Sequence, residues 1–155
     1  MCDSTNNPFA TLPGILILTH GPLGPALLDS ARLVMGDEPR LMALPLLDGC
    51  DISQYAQSLE DALSSMGDGT LVLADLFGGT PFNQLVLQMD RHVFWGVAGV
   101  NLPMLIEAAS MRYTLFGQEL ADAAEQAGQT GIASINTFME KVRVGRTAAH
   151  EAGES

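Results

Sequence analysis

The stretch ILILTHGPLGPALL, residues 15–28, decides the fold. Four aliphatic residues run into Thr19, His20 and Gly21, and then a new apolar pattern begins. A short unbroken apolar run reads as a strand covered on both faces. After it, Leu27, Leu28, Ala31, Val34 and Met35 recur at helical spacing, with Pro25 suited to the first turn and Gly36 placed to end the helix. Strand, helix and return make one βαβ unit, so the first strand, Gly14 to Thr19, belongs to a parallel sheet.

The same alternation continues down the chain. Leu41 to Leu47 reads as the second strand. Asp51 is a helix cap with Gln54 as reciprocal partner, opening an apolar stripe of Ile52, Tyr55, Ala56, Leu59, Ala62, Leu63 and Met66 that Gly67 and Gly69 close. Thr70 to Ala74 is a third strand ending on Asp75. Thr80 reads as the N-cap and Pro81 as the first residue of a helix to about Asp90 that buries Phe82, Leu85, Val86 and Met89. A fourth strand is expected over Val93 to Ala98, then helices around Pro103 to Ala109 and Gln118 to Ala127. Ile132 to Ile135 reads as a short fifth strand at an edge, followed by one or two further turns of helix.

These elements imply an α/β fold: a doubly wound, mainly parallel sheet in the order 2-1-3-4, with helices on both faces and that extra edge strand. One domain over residues 13–142 is expected between a mobile N-terminus, 1–12, and a mobile, aperiodic tail, 143–155.

The chain has 155 residues, is 47% hydrophobic and only 16% charged, which suits one sizeable core. Eighteen acidic residues against seven basic ones give a net charge of −11. Such a surface repels phosphate backbones and anionic membrane surfaces, so nucleic acid is not expected as a partner, and no uninterrupted apolar stretch is long enough for membrane insertion to be expected. The N-terminus lacks the basic and apolar pattern of a secretory signal, and the protein reads as cytoplasmic. Cys2 and Cys50 lack the spacing of a disulfide framework or a zinc site, and no metal or cofactor is expected.

Chemistry in a doubly wound sheet gathers at the carboxyl ends of the strands. His20 ends the first strand and Asp75 the third, and in the order 2-1-3-4 these strands are neighbours about 4.8 Å apart. A carboxylate that takes the proton of one ring nitrogen leaves the other with an outward lone pair. With no G-x-S-x-G elbow in the chain, His20 itself is the candidate nucleophile. Gly21, Gly24 and the helix start at Pro25 on one side, and Gly78, Gly79, Thr80 and the helix start at Pro81 on the other, place backbone N–H groups around it, which favours an anion. A phosphoryl group is the anion a neutral imidazole can accept and pass on. Taken singly, a histidine after a strand also serves as a structural residue, Asp75 as a turn cap, and Gly78 and Gly79 as a tight bend. His92 and His150 have no comparable surroundings and read as solvated.

Three stretches, THG after the first strand, DLFGGTPFN after the third and GVNLPML after the fourth, resemble the mannose-family enzyme IIA component of the bacterial phosphoenolpyruvate-dependent sugar phosphotransferase system. The resemblance spans roughly residues 13 to 136. It implies a phosphotransferase component in which His20 accepts a phosphoryl group from the carrier protein HPr and passes it to enzyme IIB. It further implies that Asp75 hydrogen-bonds that histidine, and that Thr80 lies beside the phosphorylation site. Phe77, Asn101 and Pro103 would border the same end of the sheet. The family's homodimers, some sharing an edge strand, fit the strand near Ile132. Because the chain ends soon after this region, IIB is expected as a separate polypeptide. Two other readings are the phosphotransfer subunit of a dihydroxyacetone kinase and a non-catalytic, flavodoxin-like binding module. A receiver-like module phosphorylated on Asp75 would need an acidic pair where this chain has THG.

Overall fold

The computed structural model describes residues 7–153. β1 (Ile15–His20) is the central element: Ile15 to Thr19 are wholly shielded from solvent, while His20 emerges at its end. Its side chains alternate between two cores, as strand geometry requires. Ile15 and Ile17 face α1 (Leu23–Met35), α4 (Leu102–Met111) and α5 (Gly117–Thr130), while Leu16 and Leu18 face α2 (Ile52–Met66) and Leu85 of α3 (Thr80–Val86). Each fully buried aliphatic side chain contributes about 1.5–3 kcal/mol. Polar substitution anywhere in this strand therefore falls on a core from one side or the other.

Around β1 lie β2 (Leu41–Leu46), β3 (Thr70–Ala74) and β4 (Phe94–Ala98), all parallel, in the order β2-β1-β3-β4. This is the order expected from the sequence. The chain leaves β1 toward β2 and later returns to β1's other side with β3, so the carboxyl ends of β1 and β3 form the switch point where such sheets bind ligands. Local signals hold the ends in place. Asp51 Oδ1 caps α2 by accepting from the amides of Ser53 and Gln54, and Gly36 and Gly67 end α1 and α2 at positive φ.

Four expectations need correction. No strand forms at Ile132 to Ile135: α6 (Ile135–Gly153) begins there and takes in most of the segment expected to be an aperiodic tail. Within the N-terminal segment, residues 1–6 lie outside the described region, but Phe9 packs edge-on against Trp95 with ring centroids 5.7 Å apart. The guanidinium of Arg40 also ties down the Leu12 carbonyl. α3 is capped by Gly79 rather than Thr80 and stops at Val86; Leu85 is buried, but Phe82 is only half-buried, and Val86 and Met89 are exposed. In α2, Asp51 accepts both amide bonds, whereas Ile52 is exposed.

Candidate functional site

His20 and Asp75 are 55 positions apart in the chain and meet across the seam between β1 and β3. The Asp75 carboxylate grips His20 twice: Oδ2 accepts from the His20 amide at 2.8 Å and lies 3.0 Å from Nδ1, with Oδ1 3.3 Å from the same nitrogen. An ionised carboxylate only accepts, so Nδ1 carries the proton and Nε2 keeps its lone pair. The Asp75 side chain is only 12% exposed, against 45% for His20, so the orienting group is sheltered while the ring faces solvent. The Asp75 amide, bonded to the Leu18 carbonyl at 3.0 Å, fixes the carboxylate's backbone to β1.

The β3–α3 loop packs on the ring. Gly78 takes φ +76°, and the Gly79 amide closes a turn on the Leu76 carbonyl. A Cβ on Gly79 would lie 2.8 Å from His20 Cε1 and 3.4 Å from Nε2. The amides of Gly78 and Thr80 have no hydrogen-bond partner among the described residues. Asn83 Nδ2 donates to the Gly78 carbonyl at 3.1 Å and holds the loop to α3. Sequence reading gave Asn83 no role of its own.

The other side of the ring differs from expectation. Gly21 takes φ +56°, but its amide is bonded to the Leu46 carbonyl at 2.8 Å and is not free for an anion. The Gly24 amide is likewise taken, by the buried Thr19 hydroxyl at 2.8 Å. A Cβ on Gly24 would meet that same Oγ1 at 3.0 Å. Thr19 thus satisfies the Gly24 amide at the start of α1, while the unpartnered Gly78 and Thr80 amides lie in the β3–α3 loop. With only seven residues, α3 adds little dipole to them.

His20 and Gly21 also border an open cavity of about 380 Å³ whose far wall is the β2–α2 connection, including Cys50. Phe77 is exposed, tilts against Phe82 with centroids 4.7 Å apart, and lines two cavities beside β4. Asn101 borders the larger of these, not the one holding His20. Its Oδ1 caps α4 through the Met104 amide at 3.0 Å, and its Nδ2 donates to the Gly128 carbonyl at 2.9 Å. Pro103 packs where a Cβ on Gly131 would come within 2.6 Å. Both residues therefore clamp α4 to α5 rather than touch the imidazole.

His92 is not solvated: Nε2 lies 2.9 Å from Glu60 Oε1, and the side chain is 15% exposed. His150 is exposed on α6. Cys2 lies outside the described residues. Among the described residues no group of three or more His, Cys, Asp or Glu side chains could hold a metal ion, and no helix is long and apolar enough to cross a membrane.

A family model, EIIA-man, described as the PTS system fructose IIA component, matches residues 14–125. The chain belongs to this family. Within the EIIA-man family, it is 30% identical over 141 residues to the PTS system fructose-specific EIIA component of Bacillus subtilis, covering 88% of this chain and 96% of that one. It is 28% identical over 125 residues to the PTS system mannose-specific EIIAB component of Escherichia coli, covering 78% of this chain but 39% of that longer protein. The solved structure of phosphotransferase system component EIIA from Streptococcus agalactiae superposes with a TM-score of 0.75 at 27% identity, covering 80% of this chain and 98% of the other. As an EIIA-man component, the chain is a phosphoryl carrier in sugar uptake.

Proposed function

We propose that His20 is the residue that carries the phosphoryl group, taken from HPr and delivered to enzyme IIB in the cytoplasm. The observation that carries this reading is the double grip of Asp75 on His20, which leaves Nε2 as the outward nucleophile. In the forward step the Nε2 lone pair attacks phosphorus of the donor's phosphohistidine. The Nε2–P bond forms as the donor's N–P bond breaks, and the electron pair leaves with the donor imidazole. His20 then carries positive charge on its ring, which Asp75 stabilises through Nδ1–H. The Gly78 and Thr80 amides supply donors for the equatorial oxygens, since such transfers depend on positioning and electrostatics more than on covalent apparatus. Delivery to enzyme IIB is the same step with the roles exchanged.

The protein acts as a homodimer in this reading. Among the described residues β4 is paired on one side only, and the cavities flanking it, about 450 and 250 Å³, leave its apolar side chains open to a second chain.

Intact-protein mass after incubation with phosphoenolpyruvate, enzyme I and HPr tests the reading. The wild type should gain one acid-labile phosphoryl group and His20→Gln none, with the fold unchanged. Asp75→Ala should still be charged, but at least roughly tenfold more slowly. An acid-stable, alkali-labile adduct would move the site to Asp75. An adduct that persists in His20→Gln would end the assignment.

A further inference from the structure

The His20 ring is held at two points, and Asp75 accounts for only one of them. The carboxylate holds Nδ1, whereas the Cε1 edge lies against Gly79, so closely that a Cβ there would come within 2.8 Å. That second contact lasts only while Gly79 stays in place, and the loop carrying it has little to fasten it. Leu76 and Phe77 are exposed, and two successive glycines give the backbone wide conformational freedom. Phe77 leans on Phe82, and the Gly79 amide reaches the Leu76 carbonyl only at 3.3 Å.

Asn83 supplies a further hold. Its amide donates to the Gly79 carbonyl at 2.9 Å, a bond that any residue but proline could make. Its Nδ2 donates to the Gly78 carbonyl at 3.1 Å, a bond that needs a side-chain donor of this reach. One residue thus holds both glycine carbonyls. Each peptide unit is planar, so a held carbonyl fixes the plane leading to the next Cα. The two planes meet at the Gly79 Cα, which is thereby set from both sides. Stability gives little reason for an asparagine at this position. The residue is exposed, asparagine is a poorer helix former than alanine, and a single hydrogen bond within reach of water only offsets that loss.

We propose that Asn83 is a positioning residue for phosphoryl transfer: by holding Gly79 against the His20 ring, it fixes the tilt that Asp75 leaves free. A carboxylate bonded to Nδ1 tolerates some rotation of the ring about its Cβ–Cγ bond. Transfer does not, because the Nε2 lone pair must lie in line with the donor's N–P bond as that bond breaks and the Nε2–P bond forms. Gly79 at the Cε1 edge removes the rotation. The proposal rests on His20 as the carrier, and Asn83 acts through Gly79 rather than on phosphorus.

Full-length Asn83→Ala and Asn83→Asp test this, with phosphorylated HPr as donor and uptake followed by rapid quench. Aspartate keeps the shape of the side chain but turns an acceptor toward the Gly78 carbonyl, so both variants lose the bond. Each should take up the phosphoryl group at least roughly tenfold more slowly at saturating HPr. The HPr concentration at half-maximal rate and the urea midpoint should stay at their wild-type values. The nuclear Overhauser contact between the His20 Cε1 proton and the Gly79 α protons, present in the wild type, should be lost in both. Wild-type rates in either variant overturn the proposal. A slowing confined to the half-saturating HPr concentration places Asn83 in the donor's footprint and also overturns it. So does a slowing matched by a lower urea midpoint with the ring contact intact, which makes the residue structural only. The proton contact is read without any donor, which separates this proposal from the assignment of His20. A wild type that takes up no phosphoryl group, or an adduct retained by His20→Gln, ends that assignment and the proposal with it, even where the ring contact is lost.

Discussion

Gly79 lies against the His20 ring without needing the backbone conformation for which glycine is usually chosen. Its φ is −70°, open to any residue, but a Cβ would come 2.8 Å from the ring. Gly79→Ala should therefore leave thermal stability close to wild type while displacing the imidazole from the Asp75 carboxylate, slowing phosphoryl transfer by roughly tenfold or more. A variant that unfolds early but transfers at the normal rate would make Gly79 a turn residue and nothing else. His20 and Asp75 were legible in the sequence because each is a polar residue ending a buried apolar run at the same edge of the sheet. The use of the Gly21 amide was not, because it depends on where the Leu46 carbonyl falls in a neighbouring strand. Thr19 gave a faint signal, a hydroxyl in an aliphatic strand, whose meaning appears only once α1 begins beside it.

At the scale of elements, caps and periods fared unevenly. Asp51 satisfies two amides at the start of α2, so Asp51→Ala should cost about 1 kcal/mol, read as a lowered midpoint in urea with an unchanged slope. Four strands and their order followed from short apolar runs separated by amphipathic stretches, a pattern with few topological solutions. α3 was expected to be longer because apolar residues continue to Met89. In the fold those residues flank the open edge of β4, and the chain tightens into turns after Val86, with the Gln88 amide bonded to Leu85. α6 was misread for a different reason. Two isoleucines in the four positions from Ile132 to Ile135 suggested a strand, and the alanines near the C-terminus gave helix propensity without apolar periodicity.

Across the whole molecule, the end of the sheet opposite His20 is fastened by a fully buried guanidinium. Arg112 closes α4 and donates to the Pro13 and Pro39 carbonyls and to Glu38, which also accepts from the Tyr113 hydroxyl at 2.8 Å. The Tyr113 hydrogen bond, helped by Arg112 and opposed by partial desolvation, holds the Glu38 carboxyl below its ordinary value. A carboxyl lowered on folding contributes stability above its unfolded pKa and loses it as pH falls through the folded one. Tyr113→Phe should thus be less stable than wild type at neutral pH by about 0.5 kcal/mol, given the pair's exposure, and the gap should close in acid. Denaturant midpoints across that range decide it, and a gap that stays constant would remove Glu38 from the account. The seam between β1 and β3 ties the site to the register of the sheet. Histidine and carboxylate belong to distant parts of the chain and are brought together only by correct strand pairing, so, with His20 as the proposed carrier, a chain with a slipped register has no chargeable ring. Under that proposed assignment phosphoryl uptake counts properly folded molecules, and the donor loses nothing to chains still assembling.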